Sequence, residues 1–349
     1  MKLAVFAYSR RGCALARKVL AAFPGAAGEA YAPERFGEEG FLPTEKPSRE
    51  FYGEIFRRVD AMVFVGAAGI AVREIAPHVR SKVTDPAVLS VDELGHFVIP
   101  LLSGHIGGAN DLALGLADAL GATAAVTTAT DVNGRFSVDA WAARNGYALS
   151  SMAAAKAVSA AILEGDVPLC SDLPVTTPLA PGLVFGSSGR VGIYVGWEKK
   201  EPFDVTLRLI PRVLHLGLGC RRGTEATAIR KAVEGALEKA GVDGDAVACA
   251  ASIDLKKDEK GLLEYCERMG WPLRFYPAEQ LRAVPGTFTP SAFVESVTGV
   301  DNVCERSALL GAERLILKKT ALEGVTVALA AEKTEVRFGE AERCGAGPR

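Results

Sequence analysis

Three times along this chain a strand-like apolar run ends in glycines that open a helical pattern, and few architectures accommodate that repeat. Ala61–Val65 leads into Gly66-Ala67-Ala68-Gly69 and a helix over residues 70–76. Phe97–Leu102 leads into Ser103-Gly104-His105-Ile106-Gly107-Gly108 and a helix over Ala109–Leu120 with Leu112, Leu116 and Leu120 on one face. Residues 213–216 lead into Gly217-Leu218-Gly219-Cys220-Arg221-Arg222-Gly223-Thr224 and a helix over residues 225–240. The apolar positions Ala226, Ile229, Val233, Leu237 and Ala240 keep its period, and Thr224 reads as its N-cap. Further strand patterns at the N-terminus (residues 2–8), at Ala87–Val91 and between residues 247 and 330 continue the alternation. It predicts an α/β protein with two Rossmann-like domains, doubly wound on mainly parallel sheets.

Between these domains the pattern changes. An Ala-rich helix, a proline-rich stretch and a strand over residues 191–197 read as a small middle region. The expected organisation is an N-terminal domain over residues 1–136, a middle region over 137–211, a C-terminal domain over 212–332 and a polar tail over 333–349. Residues 24–50, with four prolines and many charges, read as a long exposed connection.

Composition excludes several classes. Hydrophobic residues at 49% can build a core, so the chain is not a disordered one. Forty basic against 42 acidic residues leave no basic face for nucleic acid. Seven scattered cysteines include no C-x-x-C pair, which reads as reduced thiols and no zinc ribbon. The N-terminal apolar run ends at Arg10-Arg11 and reads as a strand rather than a signal peptide. The uncharged run over residues 173–189 holds three prolines and is too short to span a bilayer. A cytoplasmic protein is expected.

Each glycine loop would expose backbone N–H groups at a helix start, where an anion is favoured. The expectation is that Gly66, Gly69, Ser103, Gly104, Gly107, Gly108, Gly217 and Gly219 approach a ligand at the carboxyl edge of the strands. A dinucleotide fits poorly: the third loop places its last glycine one residue too far for G-x-G-x-x-G, and no acidic residue follows at the right distance. No G-K-[ST] follows any of the loops, so a P-loop is absent. Among four histidines, His105 lies in a glycine loop followed by Asn110 and Asp111, whereas His78, His96 and His215 read as helix-end, turn and strand residues. Arg221 and Arg222 in a glycine loop read as a carboxylate or phosphate clamp, or as a solvated pair.

At these residues a resemblance becomes specific. GAAGIAVREIAP, TDPAVLSVDELGHFVIPLLSGHIGGAND and TTATDVNGRFSVDAWA resemble the N-terminal region of the cobalt-precorrin-5A hydrolases of anaerobic cobalamin (vitamin B12) biosynthesis. LGLGCRRGT, ASIDLKKDE, TPSAFVESVTGVDNVCERSALL, LILKKT and GVTVALA resemble the C-terminal domain of the same family. The resemblance implies a cobalt-bound tetrapyrrole substrate with a δ-lactone and many carboxylates, opened by water with release of acetaldehyde. It implies no cofactor, since cobalt travels with the substrate, and no metal site in the protein. Arg73, Asn110, Thr128, Arg221, Arg222, Thr224 and Lys318 would join the glycines in holding substrate. His105 would act as general base, Asp131 would be the alternative base or would orient His105, and the N–H groups of Gly107 and Gly108 would hold the lactone oxyanion. His105 binding a substrate carboxylate without exchanging protons remains open, as does a tetrapyrrole carrier without catalysis. A homodimer and transient contacts with neighbouring enzymes of the pathway also remain open.

Overall fold

The computed structural model describes residues 1–36, 40–44 and 47–338, which fall into two units, residues 1–143 and 144–338. The first unit alternates strands and helices in the order β1 (Lys2–Ala7), α1 (Arg10–Ala21), β2 (Ala27–Ala32), β3 (Phe41–Pro43), α2 (Ser48–Arg58), β4 (Ala61–Val65), α3 (Ala68–Ile75), β5 (Ala87–Val91), β6 (Phe97–Leu102), α4 (Ala109–Leu120), β7 (Thr123–Ala124), α5 (Ala129–Val132) and α6 (Val138–Asn145). Its sheet runs β3-β2-β1-β4-β5-β6-β7. The order reverses between β1 and β4, which makes it a doubly wound sheet. Both faces are covered, and side-chain alternation decides which core each residue enters. Leu3, Val5, Val63 and Leu89 join the core that contains α1 and α4 residues. Phe6, Met62, Phe64 and Val88 join the core that contains α2 and α3 residues. There Phe6 stacks on Phe64 with centroids 4.8 Å apart and on Tyr31 at 5.2 Å, contacts worth about 0.5–1.5 kcal/mol beyond their burial.

Residues 24–50 are not merely a connection. They carry β2, paired in parallel with β1, and the three-residue β3. Ala30, Tyr31 and Ala32 are buried, but Pro33, Pro43 and the surrounding charges hide so short a buried run in the sequence.

In the second unit, residues 147–211 build a sheet of their own. It consists of β8 (Tyr147–Leu149), α7 (Met152–Glu164), β9 (Val167–Ser171), β10 (Leu183–Phe185), β11 (Val191–Val195) and β12 (Val205–Pro211), ordered β10-β9-β11-β12-β8. The following elements are β13 (Leu214–Cys220), α8 (Ala226–Ala240), β14 (Val247–Ile253), α9 (Lys260–Met269), β15 (Leu273–Tyr276), α10 (Ala278–Ala283), α11 (Ala292–Thr298), α12 (Cys304–Leu309), β16 (Arg314–Leu322) and β17 (Val325–Ala331). Their sheet runs β15-β14-β13-β17-β16, with the first three strands parallel and the last two antiparallel. The start of the expected tail is packed: Val336 bridges Val175, and Val336 and Phe338 are buried. Residues 339–349 lie outside the described residues. No helix among the described residues is long and apolar enough to cross a membrane.

Gly217 is fixed by packing. A Cβ there would lie 1.8 Å from the Cys304 carbonyl oxygen, because α12 lies directly on β13. Gly235, on α8, meets nothing within 4 Å. We therefore expect Gly217→Ala to destabilise the protein by about 3 kcal/mol through overpacking. Gly235→Ala should stabilise it by about 0.5–1 kcal/mol. Urea unfolding midpoints check both, and equal shifts for the two variants would contradict the packing argument.

Candidate active site

Strand β6 runs antiparallel to β5, with Val88 opposite Leu102. The loop after β6 therefore emerges at the start of β5, where Ser103 Oγ donates to the Asp85 carbonyl at 2.9 Å. Gly66 lies past the other end, its N–H donating to the Val91 carbonyl at 2.8 Å. The two loops are separated by the length of β5, about 15 Å for five residues. This corrects the expectation that the glycine loops share the carboxyl edge. Gly66 and Gly69 stand at that edge, but Ser103–Gly108 stands at the opposite one. Arg73 lies on α3, exposed, and donates to the Gly69 carbonyl at 3.3 Å.

Close approach shapes the Ser103–Gly108 loop. Ser103 adopts φ +58° and Gly108 φ +79°. A Cβ on Gly104 would lie 2.8 Å from Asn110 Oδ1, and one on Gly107 would lie 2.4 Å from Ser103 Cβ. The loop also caps its own helix. The N–H groups of Gly108, Ala109 and Asn110 donate to the carbonyls of His105, Ser103 and Gly104 at 3.0, 3.1 and 3.0 Å. Gly108 is thus already engaged, which removes it from the expected oxyanion pair. The Gly107 N–H makes no hydrogen bond to a described residue.

What the loop presents is His105, clasped by two carboxylates. Its Nε2 lies 2.9 Å from Asp131 Oδ2, and its Nδ1 lies 3.2 Å from Asp139 Oδ1. Thr130 Oγ1 is 3.3 Å from Nε2. Asn110 Nδ2 donates to Thr128 Oγ1 at 2.8 Å and to Asp131 Oδ2 at 2.9 Å, steadying the same carboxylate oxygen that His105 meets. Asp131 Oδ1 has no partner among the described residues. Asp139 is 6% exposed and also accepts from Lys82 Nζ at 3.2 Å and Ser137 Oγ at 3.0 Å.

The hydrogen bond to Asp139 is the largest influence on His105. With Asp131 and the charges of both carboxylates it holds the imidazole above its ordinary value, against the opposing effect of burial. Burial works to raise the Asp139 carboxyl, but His105, Lys82 and Ser137 outweigh it and hold that carboxyl far below its usual range. The cluster is an imidazole between two carboxylates with a lysine behind. In its protonated form, which the raised pKa favours, the ring donates from both nitrogens. Asp139 sits buried on Nδ1, while Asp131 sits exposed on Nε2. Sequence reading stopped at Asp131. The only sign of Asp139 was its place in FSVDAWA beside Trp141, and that stretch starts a helix of the first unit.

The other expected positions lie in the second unit. Gly217 serves packing, and Gly219 accepts from Thr326 Oγ1 at 3.3 Å with no room for a Cβ. Arg221 and Arg222 are exposed, and their guanidinium groups make no hydrogen bond or ion pair with a described residue. Thr224 is not the helix cap: α8 is capped by Glu225 without a side-chain bond, and Thr224 Oγ1 donates to the Arg221 carbonyl at 2.8 Å. Lys318 is exposed on the edge strand β16. No group of three or more metal-ligating side chains is present among the described residues.

The clasp has a pH signature. Because His105 is raised in the folded state, its contribution to stability is fully present below the unfolded imidazole value near 6.5 and is lost as pH rises through the folded value. We expect the His105 ring to titrate above about 6.5 by NMR, and Asp139→Asn to lower that midpoint. An unchanged midpoint in the variant would contradict the clasp.

Comparisons with known proteins agree with this division. Residues 50–131 match the family described as Cobalamin synthesis G N-terminal, and residues 214–330 match Cobalamin synthesis G C-terminus. The first match contains His105 and Asp131 and ends before Asp139. A cobalt-precorrin-5A hydrolase of Salmonella typhimurium is 33% identical over 342 residues, 94% of this chain and 97% of that protein. One from Priestia megaterium is 32% identical over 298 residues, 79% of each. The protein CobE of a Sinorhizobium species is 37% identical over 125 residues, 35% of this chain and 81% of CobE. Matched at this identity over nearly its whole length, the chain belongs to the cobalt-precorrin-5A hydrolase family.

Proposed function

We propose that this chain is a cytoplasmic cobalt-precorrin-5A hydrolase, which opens the substrate δ-lactone with water and releases acetaldehyde to give cobalt-precorrin-5B. The observation that carries the reading at the level of chemistry is the Asp131–His105–Asp139 clasp. Its surroundings suit a macrocycle. Val79, Val83 and Val132 are exposed on the segments that carry Lys82 and Asp131, and an apolar tetrapyrrole face would cover them. Cobalt arrives with the substrate, and the reaction calls for no nicotinamide or flavin.

The roles start from a protonated His105, the form that both carboxylate partners favour. Water attacks the lactone carbonyl, and the exposed Asp131 carboxylate takes its proton. The Gly107 N–H lies nearby as a donor for the oxyanion. His105 donates its Nε2 proton to the departing ring oxygen, which becomes a hydroxyl. Neutral His105 then takes back that hydroxyl proton as the adjoining carbon–carbon bond breaks. The bonding pair stays with the macrocycle and the two-carbon fragment leaves as acetaldehyde. Asp139 stays ionised throughout and keeps Nδ1 protonated, the task of the buried carboxylate in hydrolytic triads. In the second unit, Arg221 and Arg222 meet carboxylates of the substrate.

Two measurements test this. Wild-type protein incubated anaerobically with cobalt-precorrin-5A should release acetaldehyde without added cofactor. His105→Asn and Asp131→Asn should each lower the single-turnover rate by about 10²–10⁴-fold with affinity little changed. Binding without acetaldehyde would make the protein a tetrapyrrole carrier. Weakened affinity at an unchanged saturated rate would make His105 a binding residue.

Changing Arg221 and Arg222 together to Ala should weaken binding about tenfold or more, since hydrogen bonds to charged groups contribute about 1.5–3 kcal/mol each. An unchanged dissociation constant would leave the pair as a solvated surface feature.

A further inference from the structure

The arginine loop already holds an anion, and the chain supplies it. Glu259 Oε2 accepts from the Gly223 N–H at 2.9 Å, and its Oε1 accepts from Lys256 Nζ at 3.0 Å. The Glu259 side chain is 11% exposed. Glu259 is the N-cap residue of α9, and it makes no side-chain bond to its own helix. Its carboxylate instead reaches across to the loop that opens α8. The two helix starts are pressed together at Gly261, where a Cβ would lie 2.1 Å from the Thr224 carbonyl oxygen and 2.8 Å from the Ala226 nitrogen. Gly223 itself sits at φ +72°, a turn that glycine makes without steric cost. The Gly223 hydrogen bond is the first cause that holds the Glu259 carboxyl below its usual range, with Lys256 and Arg222 adding to it.

We propose that Glu259 is the positioning residue of the arginine loop. Its carboxylate occupies the backbone anion seat at Gly223 and fixes the segment Arg221–Thr224, so that substrate carboxylates are met by the two guanidinium groups alone. This rests on the reading that the loop binds the substrate's carboxylates. A loop held in its binding conformation loses less freedom when ligand arrives, and that difference appears in affinity. What matters is then the acceptor at Gly223 rather than the negative charge, which by itself repels an anionic ligand.

Three variants separate the two. Glu259→Ala removes the acceptor, Glu259→Asp keeps the charge one methylene short of Gly223, and Glu259→Gln keeps an acceptor at full length without the charge. Dissociation constants for cobalt-precorrin-5A come from quenching of tryptophan fluorescence, and acetaldehyde release is measured on the same samples. Glu259→Ala and Glu259→Asp should each raise the dissociation constant about tenfold, with the saturated single-turnover rate changed less than about twofold. Glu259→Gln should return the constant to within about twofold of wild type. A wild-type constant for Glu259→Asp and Glu259→Ala would overturn the proposal. So would a constant for Glu259→Gln as weak as that for Glu259→Ala. Failure of the underlying reading looks different: the double Arg221/Arg222 variant would then bind like wild type, or wild-type protein would bind without releasing acetaldehyde.

Discussion

Strand β6 runs against its neighbour in a sheet whose other main strands are parallel, and the placement of the candidate active site depends on that reversal. A short turn at Asp92–Gly95 returns the chain, with Asp92 accepting from the N–H groups of Leu94 and Phe97 at 2.9 and 2.6 Å. Had β6 entered by a crossover, His105 would stand beside Gly66 at the carboxyl edge, the usual ligand site of doubly wound sheets. Its loop is tied instead, through Ser103, to Asp85, whose carboxylate accepts from the N–H groups of Arg80 and Ser81. That fold of the chain presents Lys82 to Asp139. The reversal thus assembles groups from four separate segments around one imidazole.

In both glycine loops that carry expected site residues with charged or titratable side chains, several backbone donors are engaged within the protein. The loop after β6 caps α4 with its own carbonyls, and the loop after β13 gives its Gly223 N–H to Glu259. What remains for a ligand is the Gly107 N–H and the side chains: an imidazole with an exposed carboxylate in one unit, two guanidinium groups in the other. An acid beside a base suits hydrolysis, and unpaired guanidinium groups suit carboxylates. The glycines serve close approach more than ligand contact, as the space around Gly104, Gly107 and Gly217 makes plain.

Much of this was legible from the amino acids. The strands Ala61–Val65, Ala87–Val91 and Phe97–Leu102 and the helix Ala109–Leu120 are found within the stated bounds, because each is a continuous apolar or strongly periodic segment between turn residues. His105, Asn110, Thr128 and Asp131, which the family resemblance pointed to, lie within hydrogen-bond reach of one another in a chain of contacts. The middle sheet was largely invisible, since β8 and β10 are three residues long and β9 contains Pro168. Asp139 was missed because it is a helical residue near a core tryptophan, and only the tertiary fold turns it toward His105. The direction of β6 did have a signal, the connection over residues 92–96, which is too short for the crossover a parallel pair needs.

The central claim is that His105 and Asp139 act as one proton-handling unit. The most direct test is a double-mutant cycle on the single-turnover rate of acetaldehyde release, with His105→Asn, Asp139→Asn and the pair. The account requires Asp139→Asn to slow the otherwise wild-type enzyme and to cost nothing further once His105 is replaced. Losses that multiply in the double variant would show that Asp139 acts independently of His105, and would contradict it.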